Sequence, residues 1–100
     1  YQTSTAAVHQ ITRTCAAAWG KYGINVNCLA PTWIEHSPML KGCIPAVRES
    51  VTKLHCFDRL AVAEDYLGPA LFLASGASTY MTGHILLVDG GWSATKHYIL

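Results

Sequence analysis

Charge is scarce in this chain. Seven basic and six acidic residues in 100 leave a net charge of +1. That excludes the basic stripe of a nucleic-acid binder and the polybasic segment of a membrane anchor. Long apolar runs are also missing: none approaches the roughly 20 residues of a membrane-spanning helix. No signal peptide is visible. Met39 is the first methionine, which points to a processed or truncated chain. The four cysteines (15, 28, 43 and 56) lack the short Cys-x-x-Cys spacing of a zinc site, and the five histidines (9, 36, 55, 84 and 97) lack His-x-x-x-His spacing. No metal centre is expected. Cys15 and Cys28 fall inside apolar elements and read as buried thiols of a cytoplasmic protein.

What is present suits one small globular domain, because 100 residues are enough for one core and not two, and 51% of them are apolar. From Thr3 to Trp19 the residues Val8, Ile11, Cys15, Ala18 and Trp19 recur at steps of three and four, predicting a helix with an apolar stripe. Ala6, Ala7, Ala16 and Ala17 widen the face with small side chains that let another backbone come close. Gly20 and Gly23 end the helix. Residues 24–30 read as a strand, with β-branched Ile24 and Val26, and Pro31 closes it. A long irregular stretch follows, with a short helix predicted over 46–54. Glu64-Asp65 opens another helix running to Ser75-Gly76, in which the early Pro69 makes a kink or is confined to the first turns. Ile85-Leu86-Leu87-Val88 is an unbroken apolar run, the pattern of a parallel strand covered on both faces. Asp89-Gly90-Gly91 forms a tight turn. The tail from Ser93 has no assignment. The order helix, strand, loop, helix, strand contains one βαβ unit and defines an α/β fold.

These residues, in order and spacing, resemble the C-terminal half of the short-chain dehydrogenases/reductases. Tyr1-x-x-Ser4 followed by Ala6-Ala7-Val8 resembles the start of that family's catalytic helix. Tyr22-Gly23-Ile24-Asn25-Val26-Asn27-Cys28-Leu29-Ala30-Pro31 resembles its sixth strand. Glu64-Asp65 with Phe72-Leu73-Ala74-Ser75 resembles its last long helix. Tyr80-x-Thr82-Gly83 through Val88-Asp89-Gly90-Gly91 resembles its last strand and turn.

The resemblance implies the C-terminal half of a doubly wound Rossmann-like parallel sheet. Residues 1–100 would be a partial NAD(P)-binding domain, with 35–59 as its substrate loop. It implies NAD or NADP as cofactor and hydride exchange between a small-molecule carbonyl and an alcohol. Tyr1 is the implied general acid/base. A free phenol has a pKa of about 10 and is hardly ionised at neutral pH, so the family places a lysine one turn on to favour the phenolate. Thr5 stands at that position, and Lys21, about 24 Å further along a helix at 1.5 Å per residue, cannot replace it.

Pro31, Thr32, Ile34 and His36 are the implied cofactor-binding residues. The backbone of Ile34 would face the carboxamide. Thr32 occurs where the family usually has glycine, and His36 where it has threonine. A homo-oligomer is implied through 64–75 and 85–88. The glycine-rich phosphate loop and the catalytic serine that the family carries upstream are not in this sequence. An alternative reading is a non-catalytic interaction module, or a decayed fragment, pairing with intact relatives. With so little of a sheet present, the isolated chain is expected to be poorly stable, oligomeric or prone to aggregate.

Overall fold

The computed structural model describes residues 1–95, so His97 and most of the unassigned tail lie outside the described residues. The chain forms two units. The first comprises Tyr1–Ala30 and Pro69–Leu87, and the second Pro31–Gly68 with the segment from Val88 onward.

In the first unit, helix α1 (Gln2–Trp19) covers the predicted span and ends where Gly20–Tyr22 tightens into a 3₁₀ turn and Gly23 takes a φ of 75°. Its orientation corrects the expected core. Val8, Ile11 and Trp19 are exposed, whereas Thr12 and Ala16 are buried. Thr12 can be buried because its hydroxyl donates to the Val8 carbonyl at 2.9 Å. The small residues do what their size allows: a Cβ on Gly83 would lie 3.4 Å from the Ala16 methyl, a close approach of backbone to helix.

Strand β1 (Cys28–Pro31) is shorter than the predicted 24–30. It pairs in parallel with β2 (Ile85–Val88), which matches its predicted span. The missing first half of β1 is replaced by side chains. Asn27 donates to the Met81 carbonyl at 2.7 Å and accepts from the His84 N–H at 3.1 Å. Asn25 donates to the carbonyls of Ser78 and Thr79. The Val26 N–H donates to the Thr82 hydroxyl, and the Gly83 N–H to the Val26 carbonyl. Two asparagines thus intrude on the ladder and occupy groups that a regular strand would pair.

Helix α3 (Leu67–Ala74) follows a 3₁₀ turn over Ala63–Tyr66, so the predicted 64–75 helix is a two-part element. Pro69 is its third residue, within the first turn, where an N–H has no intrahelical partner. Strand β2 is not covered on both faces, since Leu87 is 56% exposed. Leu67 and Leu71 are also open. The cysteines depart from expectation in the same way: Cys15 and Cys28 are half-buried and Cys56 is exposed, all as free thiols.

The second unit holds helix α2 (Pro45–Thr52), one residue earlier at its start than predicted, with Pro45 at the first helical position where proline is tolerated. Ion pairs and hydrogen bonds organise the rest of the 35–59 segment. Arg48 on α2 pairs with Glu35. Arg59 holds Asp65 with two bonds of 2.7 and 2.9 Å, and Asp65 reaches back to the Val62 N–H at 2.8 Å. Ile34 and Ala61 form an isolated parallel bridge. After β2, Asp89 accepts from the N–H groups of Gly91 and Ser93 and opens the single turn α4 (Trp92–Thr95). Among the described residues, the apolar side chains buried in this unit are Val51 and Leu60.

Candidate active site

The implied site residues divide between the two units. Tyr1 and Thr5 belong to the first, Pro31, Thr32, Ile34 and His36 to the second. Tyr1 stands at the N-cap of α1 with its side chain 83% exposed. Its carbonyl takes the Ser4 hydroxyl at 2.8 Å and the Thr5 N–H at 3.0 Å, so the first turn is closed by backbone and Ser4 together. Thr5 is half-buried on this turn and carries no charge to bias a phenol. Lys21 follows the opposite end of α1.

In the second unit the segment after β1 is tied residue by residue. The Thr32 N–H donates to the Tyr66 hydroxyl at 3.3 Å, and Thr32 Oγ1 lies 2.9 Å from His55 Nε2. The Ala61 N–H donates to the Trp33 carbonyl at 3.1 Å, and the Glu35 N–H donates to the Ala61 carbonyl at 2.7 Å. The Ile34 carbonyl accepts from Ser37 at 3.2 Å, while the Ile34 N–H has no partner among the described residues. His36 is exposed and sits at a φ of 61°, a left-handed turn conformation in which histidine is enriched over most non-glycine residues.

Behind this segment lies a cavity of about 130 Å³, bounded by Thr32, His55, Phe57, Arg59, Tyr66 and Gly90 among others. Burial pushes the Tyr66 phenol above its ordinary pKa and outweighs the Thr32 N–H bond that opposes it. Tyr66 therefore stays protonated at neutral pH, with its oxygen accepting from Thr32. The side-chain bonds from Arg59 hold Asp65 down at about 2, assisted by the Val62 N–H, and Arg59 is raised in return. At Asp89, burial pushes upward but the hydrogen bonds from Ser93 and Gly91 prevail and keep the carboxyl below its usual range. Both carboxylates are ionised structural anchors.

The sequence did not single out the partners His55, Arg59, Asp65, Tyr66 and Trp92 in this unit. In the sequence His55 is only one of five scattered histidines. The available signal was the acid placed to cap the 3₁₀ turn at Val62, with Arg59 six residues before it. Nothing local marks a histidine 23 residues from its threonine.

For a nicotinamide cofactor, the fit rests on Ile34. Ile34 is half-buried and its N–H, without a partner among the described residues, is the kind of donor a carboxamide oxygen requires, with Trp33 and Glu35 on either side bonded to Ala61. Thr32 offers no free donor, because its amide and hydroxyl both have internal partners.

Residues 1–93 match the family model described as enoyl-(acyl carrier protein) reductase. Among curated proteins, galactitol 2-dehydrogenase of Rhizobium johnstonii is 44% identical over 97 residues, covering 93% of this chain and 37% of that protein. The 2-dehydro-3-deoxy-D-gluconate 5-dehydrogenase of Dickeya dadantii is 38% identical over 96 residues, covering 94% of this chain and 38% of that protein. Among solved structures, an angucycline C-6 ketoreductase with bound NADP superposes with a TM-score of 0.83 at 30% identity, over 92% of this chain and 35% of the other. The chain thus spans well under half the length of the relatives it matches. With its parallel α/β pairing and the in-order match along residues 1–93, it belongs to the short-chain dehydrogenase/reductase family.

Proposed function

We propose that this chain is the C-terminal part of an NAD(P)-dependent oxidoreductase that interconverts a carbonyl and an alcohol. The observation that carries the reading is the match over residues 1–93, with Tyr1-x-x-Ser4 at the start of a helix. In this reading residues 1–100 form part of a dinucleotide-binding domain, and 35–59 is its substrate loop. The relatives' names favour a polyol or a keto sugar acid as substrate.

A bound nicotinamide supplies or accepts the hydride. The chain's own residues handle the proton and the positioning. The Tyr1 phenol gives its proton to the alkoxide oxygen formed at the carbonyl, and takes it back in the reverse direction. Pro31, Thr32, Ile34 and His36 make up the cofactor-facing segment, with the Ile34 N–H as a donor for the carboxamide and the exposed His36 imidazole as a donor for phosphate. NADP is supported by the ketoreductase neighbour that holds it, and NAD remains its alternative. Four free thiols suit the cytoplasm. The exposed Leu67, Leu71 and Leu87 support a homo-oligomer through 64–75 and 85–88.

Thr5 favours a second reading, a non-catalytic partner of intact relatives, because no cation on that turn of α1 stabilises the phenolate. One experiment separates them. In the full-length gene product, NADPH-dependent reduction of a ketose or keto sugar acid is expected, and Tyr1→Phe lowers it by about 10²–10⁴-fold. Unchanged activity in that variant removes Tyr1 from the mechanism. A full-length protein that lacks activity yet co-elutes with an intact relative favours the second reading.

A further inference from the structure

We propose that His55 is a positioning residue for the cofactor-facing segment, acting through the hydroxyl of Thr32. The proposal rests on the reading above, in which the Ile34 amide faces the nicotinamide. His55 is only 4% exposed, and both ring nitrogens have partners. Nδ1 lies 2.9 Å from the Val51 carbonyl in the last turn of α2. A carbonyl can only accept, so Nδ1 carries the proton and donates. In the neutral ring Nε2 is then the acceptor, and the Thr32 hydroxyl donates to it at 2.9 Å. The ring cannot turn freely. Trp92 meets it edge-on at 5.1 Å, and a Cβ on Gly90 would lie 3.3 Å from its Cδ2.

The consequence for the segment follows from threonine's shape. A β-branched side chain has few χ1 choices, so fixing Oγ1 also fixes the backbone that bears it. The Thr32 N–H is held independently by Tyr66. With Trp33 and Glu35 bonded to Ala61, the residues flanking Ile34 are anchored on both sides. The Ile34 N–H, like those of Trp33 and His36, has no partner among the described residues, and the Trp33 carbonyl of the same peptide is held by the Ala61 N–H, so this peptide has little freedom to rotate. Simple packing would satisfy His55 equally well, but it would not link His55 to the behaviour of Ile34.

The test uses the full-length protein with Thr32→Val, Thr32→Ser, His55→Leu and the Thr32→Val/His55→Leu double variant, with NADP as titrant. Thr32→Val keeps the shape and removes the hydroxyl, so it does not depend on His55→Leu folding. Each of Thr32→Val and His55→Leu is expected to weaken NADP binding about tenfold, the double variant no further, and Thr32→Ser to restore it. The imidazole ¹⁵N spectrum should show His55 protonated at Nδ1. Its Nε2 resonance should move in Thr32→Val and return in Thr32→Ser. Unchanged affinity in Thr32→Val, independent effects that multiply in the double variant, or a His55 protonated at Nε2 alone overturns the proposal. If the wild-type protein binds neither NADP nor NAD, the reading it rests on fails. The neighbouring Glu35 amide, bonded to the Ala61 carbonyl, then decides the positioning separately: its hydrogen exchange should quicken about tenfold in Thr32→Val, and an unchanged rate overturns the proposal.

Discussion

The two units are stabilised by different means. The first carries the long helix and nearly all of both strands, yet the apolar side chain buried in it is the methyl of Ala16. Its order comes from asparagine side chains bonded across 54 to 57 residues of sequence. The second holds the largely irregular 35–59 segment, yet it buries Val51, Leu60 and His55 and is bound by ion pairs. Regular elements therefore do not by themselves make the better-closed unit. The helix and strands of the first unit expose apolar faces that need a cover. The irregular segment supplies partners for its own polar groups.

Substitutions can break this contrast. The largest effect is expected in the second unit at Gly91, where φ is 83° and an added Cβ would overlap the Cys56 thiol. Gly91→Ala should destabilise by about 2–4 kcal/mol, from left-handed strain and overpacking together, measured by chemical denaturation of the full-length protein. Gly91→Ala with Cys56→Gly should recover part of the loss, since it removes both the thiol and the Cβ that the added methyl would meet, but not the strain.

Next comes Asn27→Ala in the first unit. It removes two hydrogen bonds and leaves the Met81 carbonyl and the His84 N–H without them. A loss of about 2 kcal/mol is expected. If denaturation midpoints do not move, the asparagine side chains do not stabilise the sheet.

A smaller and different effect is expected from Leu71→Glu on the exposed face of α3. Monomer stability should change by no more than about 0.5 kcal/mol, while the elution volume in size-exclusion chromatography should shift toward the monomer. Retained oligomers would place the interface elsewhere.

The smallest effect belongs to pH. The folded-state pKa of Asp65 is depressed to about 2, from an ordinary value of 3.8. Its contribution is therefore present above the unfolded value and lost as pH falls through the folded one. Asp89 is lowered as well and acts in the same direction. Wild-type stability should decline between about pH 4 and pH 2, and Asp65→Asn should flatten that decline. Because Asp65 and Arg59 are partly solvated, the flattening will be modest.

Much of the fold was legible from short-range pattern. The three- and four-residue period with Gly20 and Gly23 bounded α1 to within one residue, and the Ile85–Val88 run defined β2. Pattern misread which side of α1 is buried. A hydrophobic stripe predicts the core only when the chain also provides what covers it, and here Thr12 and Ala16 face inward instead. The same reason explains the open face at Leu87. Strand β1 was overextended because the β-branched pair Ile24 and Val26 outweighed Asn25 and Asn27, whose side chains compete with the backbone for the ladder.

The sequence by itself displayed the order of elements and the ordered motifs that resemble the family, and that resemblance is what implies roles for Tyr1, Pro31, Thr32, Ile34 and His36. Motifs depend on residue type at short range, which a single chain displays. Only the tertiary structure decided that Thr32 is bonded to His55 and Tyr66, that Arg59 grips Asp65, and that the Ile34 amide stays open. Most of these pairings close loops of 23 or more residues. Many histidines and tyrosines could satisfy such a threonine equally well in sequence, and the packing of the folded chain selects one of each.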